Sequence, residues 1–140
     1  MKKFNLPLTY APKIQPVIDG TCRQTIRTGR KFSEGDLVSF HGWAGRPYHS
    51  SWSFRTPYQP LKWARSFDII DKGIIGTFFK EEAPMENDTY ARCTLWLWKD
   101  LDWLAALDGI VPATGEELHN VLMSKNKIPA EGIEAQIIRW

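Results

Sequence analysis

Apolar and polar side chains alternate most cleanly from Tyr90 to Trp98, and a period of two predicts a half-buried strand there. Helical spacing instead relates Tyr10, Ile14 and Val17, and Gly20 follows them as a C-terminal stop. Further strands are predicted over 4–8, 24–30, 37–40, 63–70, 74–79 and 133–140, and two more helices over 101–107 and 114–122. The pattern therefore predicts an α+β fold: a mixed, mainly antiparallel sheet with three short helices.

The segment at about 41–60 breaks this pattern. Glycines and prolines are frequent in it, which predicts a long loop. Aromatic and basic side chains alternate through the same loop, namely Trp43, Arg46, Tyr48, Trp52 and Arg55. Rings that stack on bases and guanidinium groups that meet phosphates are typical of proteins that bind single-stranded nucleic acid. The alternative is a loop that folds back and buries Trp43 and Trp52 as a plug.

The length of 140 residues and the 43% hydrophobic content predict one domain, 1–140. No apolar run reaches the roughly 20 residues of a membrane span, so we expect no membrane partner. The two cysteines, Cys22 and Cys93, and the three histidines do not have metal-ligand spacing, so we expect neither a metal nor a cofactor. Reduced thiols are the expectation for a cytoplasmic protein.

Charge is distributed unevenly along the chain, although the net charge is only +2. Residues 21–65 contain eight basic and two acidic side chains, whereas residues 66–140 contain seven basic and thirteen acidic ones. Such an asymmetry favours a basic face that meets a polyanion, provided that the two halves become two faces of the fold.

Four motifs occur in a fixed order: Gly20 followed by Thr25-Ile26-Arg27, the Gly35-Asp36 turn, Leu107–Ile110, and Ile137–Trp140. Together they resemble the ASCH domains, small β-barrels related to the PUA domains that bind RNA. The resemblance spans most of the chain, and it implies a PUA-like mixed β-barrel with the segment at about 41–60 as an insertion. It also implies a cleft for nucleic acid or a nucleotide beside the end of the first helix.

The leading interpretation is a domain that binds RNA or single-stranded nucleic acid. Alternation along an extended segment would place Arg23, Thr25 and Arg27 on one face, suited to phosphate and base-edge contacts. The predicted contact residues are Gly20, Arg23, Thr25, Arg27, Arg30 and Lys31 together with Trp43, Arg46, Tyr48, Trp52 and Arg55.

A hydrolase of modified nucleosides is the alternative. The ASCH-type acetylcytidine amidohydrolases use a Lys and a Thr after the helix-end glycine and a Glu from the later helical region. Thr25 matches the Thr, Cys22 stands at the Lys position, and Asp108 falls near the acidic position. Arg23 can hold an oxyanion but cannot accept a proton, so the base would be Asp108, Cys22 or another group. A nuclease in the same cleft is a variant, and a protein-interaction module anchored by the aromatic loop is a third interpretation.

Overall fold

The computed structural model describes residues 1–43, 51–78, 92–125 and 131–140. Its strands are β1 (Lys3–Pro7), β2 (Gln24–Thr28), β3 (Leu37–Trp43), β4 (Trp52–Arg55), β5 (Gln59–Pro60), β6 (Trp63–Ile70), β7 (Gly73–Phe78), β8 (Arg92–Leu97) and β9 (Ile133–Arg139). Its helices are α1 (Ala11–Asp19), α2 (Asp102–Leu107) and α3 (Gly115–Lys125), with a 3₁₀ turn at Trp98–Asp100. The predicted α+β fold with three short helices is confirmed.

The described strands form two sheets. The first has the order β1-β3-β4, with β5 also on β3, and its β1–β3 pair is parallel. The second is antiparallel throughout and has the order β2-β9-β6-β7-β8. Among these strands no pairing joins the two sheets, so the predicted closed barrel is not confirmed.

The loop predicted at about 41–60 is wrong in part, because strands occupy both of its described ends. β3 continues to Trp43, and β4 and β5 both pair with it. Gly42 reads as a loop residue but is required by the pairing: a Cβ there would collide with the ring of Phe54 on the neighbouring strand. The segment 44–50 lies outside the described residues.

Helix α1 begins and ends as its sequence predicts. Pro12 lies in the first turn, where its missing N–H is not needed. Gly20 follows the last turn with a φ of 83°, a left-handed conformation that favours glycine, and its N–H donates to the Val17 carbonyl. The buried face of α1 carries Val17 and, unexpectedly, Lys13.

Strand β9 separates two hydrophobic clusters because its successive side chains point to opposite faces. Ile137 packs into one cluster with Phe67, Leu104 and Leu118. Ile138 packs into the other, which contains Phe40. Strand β2 pairs with β9 on one side, and none of the described strands pairs with its other edge, which faces α1 and the helical region after β8. Within the described residues, no helix has the length and apolar character required to span a membrane.

Candidate functional site

A pocket of about 130 Å³ lies at the open edge of β2, enclosed by the end of β1, α1, the turn after α2, and α3. Its polar lining includes Lys13, Thr25, Arg27, Asp108 and Lys125, and its apolar lining includes Leu8, Ile110 and Leu122. We call it the Lys13–Asp108 pocket. An apolar cavity with a few convergent polar groups is the usual form of a small-molecule site.

An ion pair forms the centre of this pocket. The Lys13 Nζ lies 3.2 Å from the Asp108 Oδ2, and the two side chains are only 4% and 7% exposed. Lys13 comes from the buried face of α1, and Asp108 is the C-cap residue of α2. Because the desolvation of two charges offsets most of their attraction, a buried pair of this kind adds little stability, and in a pocket it is a candidate for a functional role.

Burial raises the pKa of the Asp108 carboxyl above its ordinary value of 3.8. The charges of Lys13 and Arg27 and the side-chain amide of Gln24 oppose that rise. A carboxyl whose pKa lies above its ordinary range exchanges protons more readily near neutral pH, which suits a general acid or base.

Lys13 and Cys22 meet at the turn that follows α2. A Cβ at Gly109, whose φ is 73°, would lie 3.0 Å from the Cys22 Sγ and 3.4 Å from the Lys13 Cγ. Burial raises the pKa of the Cys22 thiol, while the Lys13 charge opposes the rise. Cys22 is therefore a buried, protonated neighbour of the ion pair, and the lysine of this region comes from α1 instead of from position 22.

Thr25 and Arg27 extend from one face of β2 into the pocket. Thr25 is buried, and no hydrogen bond from the described residues engages its hydroxyl. Burial lowers the pKa of Arg27 to about 10, with the charge of Asp108 opposing that fall. Arg27 therefore remains protonated at neutral pH, and its guanidinium lies 5.8 Å over the ring of Phe40.

The backbone of Ile26 also faces the pocket. The Trp140 N–H donates to the Arg23 carbonyl at 3.2 Å, in register with the β2–β9 pairs. In an antiparallel ladder, every second residue of a strand makes backbone hydrogen bonds to the neighbouring strand, and the residues between them point their backbone groups the other way. Thr25 and Arg27 therefore hydrogen-bond to β9, whereas the N–H and C=O of Ile26 point to the open edge. Ile26 lines the pocket, so it presents one donor and one acceptor to a ligand.

Three buried side-chain atoms at this site have no hydrogen-bond partner among the described residues: Asp108 Oδ1, Arg27 Nε and Gln24 Nε2. Leaving a buried polar atom unpaired costs about 1–3 kcal/mol, so such atoms usually have a role. Arg27 lines the pocket with a donor that the described residues do not use, and Asp108 lines it with an acceptor that the nearby Gln24 amide also approaches.

Lys125 lies at the rim of the pocket, at the end of α3. Its Nζ donates to the Thr9 Oγ1 at 2.7 Å and lies 5.8 Å over the ring of Tyr10. Partial burial lowers the pKa of Lys125, and the nearby positive charges of Arg27 and Lys13 lower it further. The described lining of the pocket therefore contains three cationic side chains and one carboxylate.

The predicted cluster of Arg23, Thr25 and Arg27 on one face does not form. β2 begins at Gln24, and the exposed Arg23 turns to the C-terminus, where its Nε donates to the Trp140 carbonyl at 2.7 Å. Its Nη2 donates to the Gln59 Oε1 at 3.0 Å. Gly20 is exposed and ends α1, but it does not line the pocket.

Other predicted contact residues lie apart from this site. Arg30 and Lys31 line a separate groove with Glu134. Trp43 is half-buried, with its ring 4.8 Å from that of His41. Arg55 donates to the Asn5 Oδ1 at 3.0 Å and lies 5.9 Å over the Tyr58 ring. Arg46, Tyr48 and the side chain of Trp52 lie outside what the structure describes, so the predicted aromatic-basic loop is described only at its ends.

Sequence reasoning missed Lys13 and Lys125. A signal for Lys13 was present, because it lies three residues after Tyr10 and four before Val17, on the apolar face of α1. A lysine on that face must be paired or must serve a site. We find no comparable signal for Lys125, since a lysine in the last turn of a helix is ordinary.

No group of three or more His, Cys, Asp or Glu side chains in the described ranges could hold a metal ion. Comparison with known proteins gives no match to a protein-family model, a curated protein or a solved structure. The resemblance to ASCH domains therefore stays a prediction.

Proposed function

We propose that this chain is a hydrolase that removes an acyl group from a pyrimidine-type nucleoside or nucleotide in the Lys13–Asp108 pocket. The observation that carries the proposal is the buried ion pair of Lys13 and Asp108 beside Thr25. The ASCH resemblance, with its PUA-like scaffold, belongs to the same proposal.

The size of the pocket favours a single ring. A cavity of about 150 Å³ in another protein accommodates benzene, and this pocket measures about 130 Å³. A pyrimidine base carries donors and acceptors side by side around its ring. The N–H and C=O of Ile26, the Asp108 Oδ1 and the Arg27 Nε form a matching set on the protein.

The residues can divide hydrolysis of an acyl amide among themselves. The Asp108 carboxylate accepts a proton from the attacking water or from the Thr25 hydroxyl, and the new oxygen–carbon bond forms at the acyl carbon. The Lys13 ammonium donates to the carbonyl oxygen as negative charge develops there. The protonated Asp108 then gives its proton to the nitrogen as the carbon–nitrogen bond breaks, which releases the amine. Attack by water yields the acid directly, whereas attack by Thr25 leaves a threonyl ester, which a water that gives its proton to Asp108 hydrolyses to the acid as the Thr25 hydroxyl is restored.

This scheme does not require a lysine at position 22. With a cysteine there, the sequence offers no lysine after the helix-end glycine. Lys13 supplies an ammonium from α1, in contact range of the same Gly109 turn as Cys22.

The test is incubation of the full chain with N4-acetylcytidine and with other acylated nucleosides, followed by mass analysis of the products. Thr25→Val keeps the size of the side chain and removes the hydroxyl, so we expect a loss of about 100-fold or more in rate. Thr28→Val, on the same strand but outside the pocket lining, is the matched control. Absence of product from every acylated nucleoside at high enzyme concentration would remove the hydrolase proposal.

Binding of single-stranded nucleic acid is the second candidate. It is favoured by a half-buried basic and aromatic patch in which the Trp63 ring lies 4.4 Å from the Arg139 guanidinium and 5.3 Å from that of Arg65. Stacking surfaces flanked by guanidinium groups suit unpaired bases. Titration with short RNA and DNA single strands at about 50 and 200 mM salt tests it, because phosphate contacts predict a steep loss of affinity with salt.

A further inference from the structure

The charges that line the Lys13–Asp108 pocket do not balance. Among the described residues, Asp108 is the single carboxylate of the lining, and the Lys13 Nζ engages it at 3.2 Å. Arg27 and Lys125 line the same pocket, and in the described part of the chain neither has a carboxylate within 4.0 Å. The described lining therefore carries three positive charges, and Asp108 offsets one of them.

The fold makes these two charges costly. Burial and the neighbouring Arg30 disfavour the charged form of Arg27, and Arg27 and Lys13 together disfavour that of Lys125. Repulsion between like charges held close together raises the free energy of the protein without a ligand, and an anion bound between them offsets that repulsion. The Arg27 Nε, buried and without a hydrogen-bond partner among the described residues, supplies a donor for that anion.

The two cations lie at different depths. Arg27 extends from the buried strand edge, whereas Lys125 is exposed at the rim, where Thr9 and Tyr10 hold its ammonium. A base at the floor beside Asp108 would place the phosphate of its ribose toward the rim. From these positions we infer that the pocket has a phosphate subsite formed by Arg27 and Lys125, so that its ligand is a nucleotide and not a free nucleoside.

This inference rests on the proposed base site, and the phosphate has two sources: the 5′-phosphate of a mononucleotide or the phosphodiester of a strand end. Both present the same charged oxygens to a guanidinium fork and an ammonium. The number of phosphate contacts is one or two, because only Arg27 and Lys125 are free of an acidic partner at the site.

The experiment measures the affinities of cytidine, uridine, their 5′-monophosphates and a pyrimidine trinucleotide for the full chain by tryptophan fluorescence or calorimetry. We expect each monophosphate to bind about tenfold or more tightly than its nucleoside, as a charge-assisted contact typically gives. Lys125→Gln keeps most of the stem of the side chain and removes the charge, and it should abolish most of that advantage. Lys99→Gln, an exposed lysine outside the pocket, is the control.

Equal affinities of nucleoside and monophosphate for the wild-type protein would overturn the phosphate subsite and leave the base site intact. An unchanged monophosphate advantage in Lys125→Gln would overturn the role of Lys125. A trinucleotide that binds more tightly than the monophosphate, with the same sensitivity to Lys125→Gln, supports the subsite and identifies a strand as the source. Failure of both nucleosides and monophosphates to bind would instead overturn the proposed base site on which the subsite depends.

Discussion

The buried pair of Lys13 and Asp108 should give the protein a lower free energy of unfolding than well-packed apolar side chains at the same two positions would give. Removing one partner alone, by Lys13→Met or by Asp108→Val, leaves an uncompensated charge in a site where both side chains are less than 8% exposed. Such a loss typically costs about 3–5 kcal/mol. For a domain of 140 residues this corresponds to a fall in melting temperature of about 10–20 °C.

The double variant Lys13→Met/Asp108→Val removes both charges and keeps a similar total volume. Since the attraction within a buried pair barely offsets its desolvation, we expect the double variant to lose less stability than either single variant, or to gain some. The assay is urea unfolding followed by tryptophan fluorescence, with equal m-values required for the comparison. Hydrolysis and ligand binding should be lost in all three variants.

The pH dependence gives a second readout of the same pair. Lys13→Met removes an ammonium that lowers the pKa of Asp108, so that pKa rises further. A carboxyl with a raised pKa in the folded state favours folding while it is protonated, and that contribution is lost as the pH rises through the folded pKa. The deficit of Lys13→Met should therefore be smaller at about pH 5 than at about pH 8. Losses in the double variant equal to the sum of the two single losses would refute the reasoning, because the charges would then act independently.

Two further predictions concern residues outside the ion pair. Gln136→Leu should lower the free energy of unfolding by about 2–4 kcal/mol in urea unfolding. The Gln136 side chain accepts from the Phe32 N–H at 2.7 Å and donates to the Phe32 carbonyl at 3.1 Å. The substitution would leave this N–H and this carbonyl buried and unpaired. The exposed Gln15→Leu should stay within about 0.5 kcal/mol of wild type, and equal losses in the two variants would contradict this account. Arg27→Gln should weaken nucleotide binding about tenfold or more, whereas Arg23→Gln should change it by less than about twofold, because Arg23 contacts the C-terminus instead of the pocket. A titration in which the two arginine variants lose affinity equally would show that the ligand lies elsewhere.

Local signals predicted much of the fold. The end of α1 at Gly20 depends on one left-handed residue, and the hairpin of β6 and β7 depends on a short turn between two apolar runs. Such features are determined by residues close in sequence. The parallel pairing of β1 with β3 has no local signal, since the two strands are separated by α1 and β2.

The candidate site was predicted only in part, because its members come from distant segments. Thr25, Arg27 and Asp108 were predicted from the sequence. Lys13, the ion-pair partner of Asp108, was not, because it lies 95 positions away along the chain. The charge asymmetry was a poor guide to the site: Arg27 belongs to the basic segment 21–65, whereas Asp108 and Lys125 come from the acidic half. Charge along a sequence therefore did not predict which charges would meet.

The most direct test of the central claim is a two-dimensional amide NMR titration of the full chain with a pyrimidine nucleoside. A ligand in the Lys13–Asp108 pocket should shift the amides of Ile26 and Arg27 on β2 and those of Asp108 and Gly109 most strongly. The Ile26 amide should show the largest shift, since its N–H points from the open strand edge toward the ligand. Shifts confined to the groove of Arg30 and Lys31, or no shifts at all, would contradict the account.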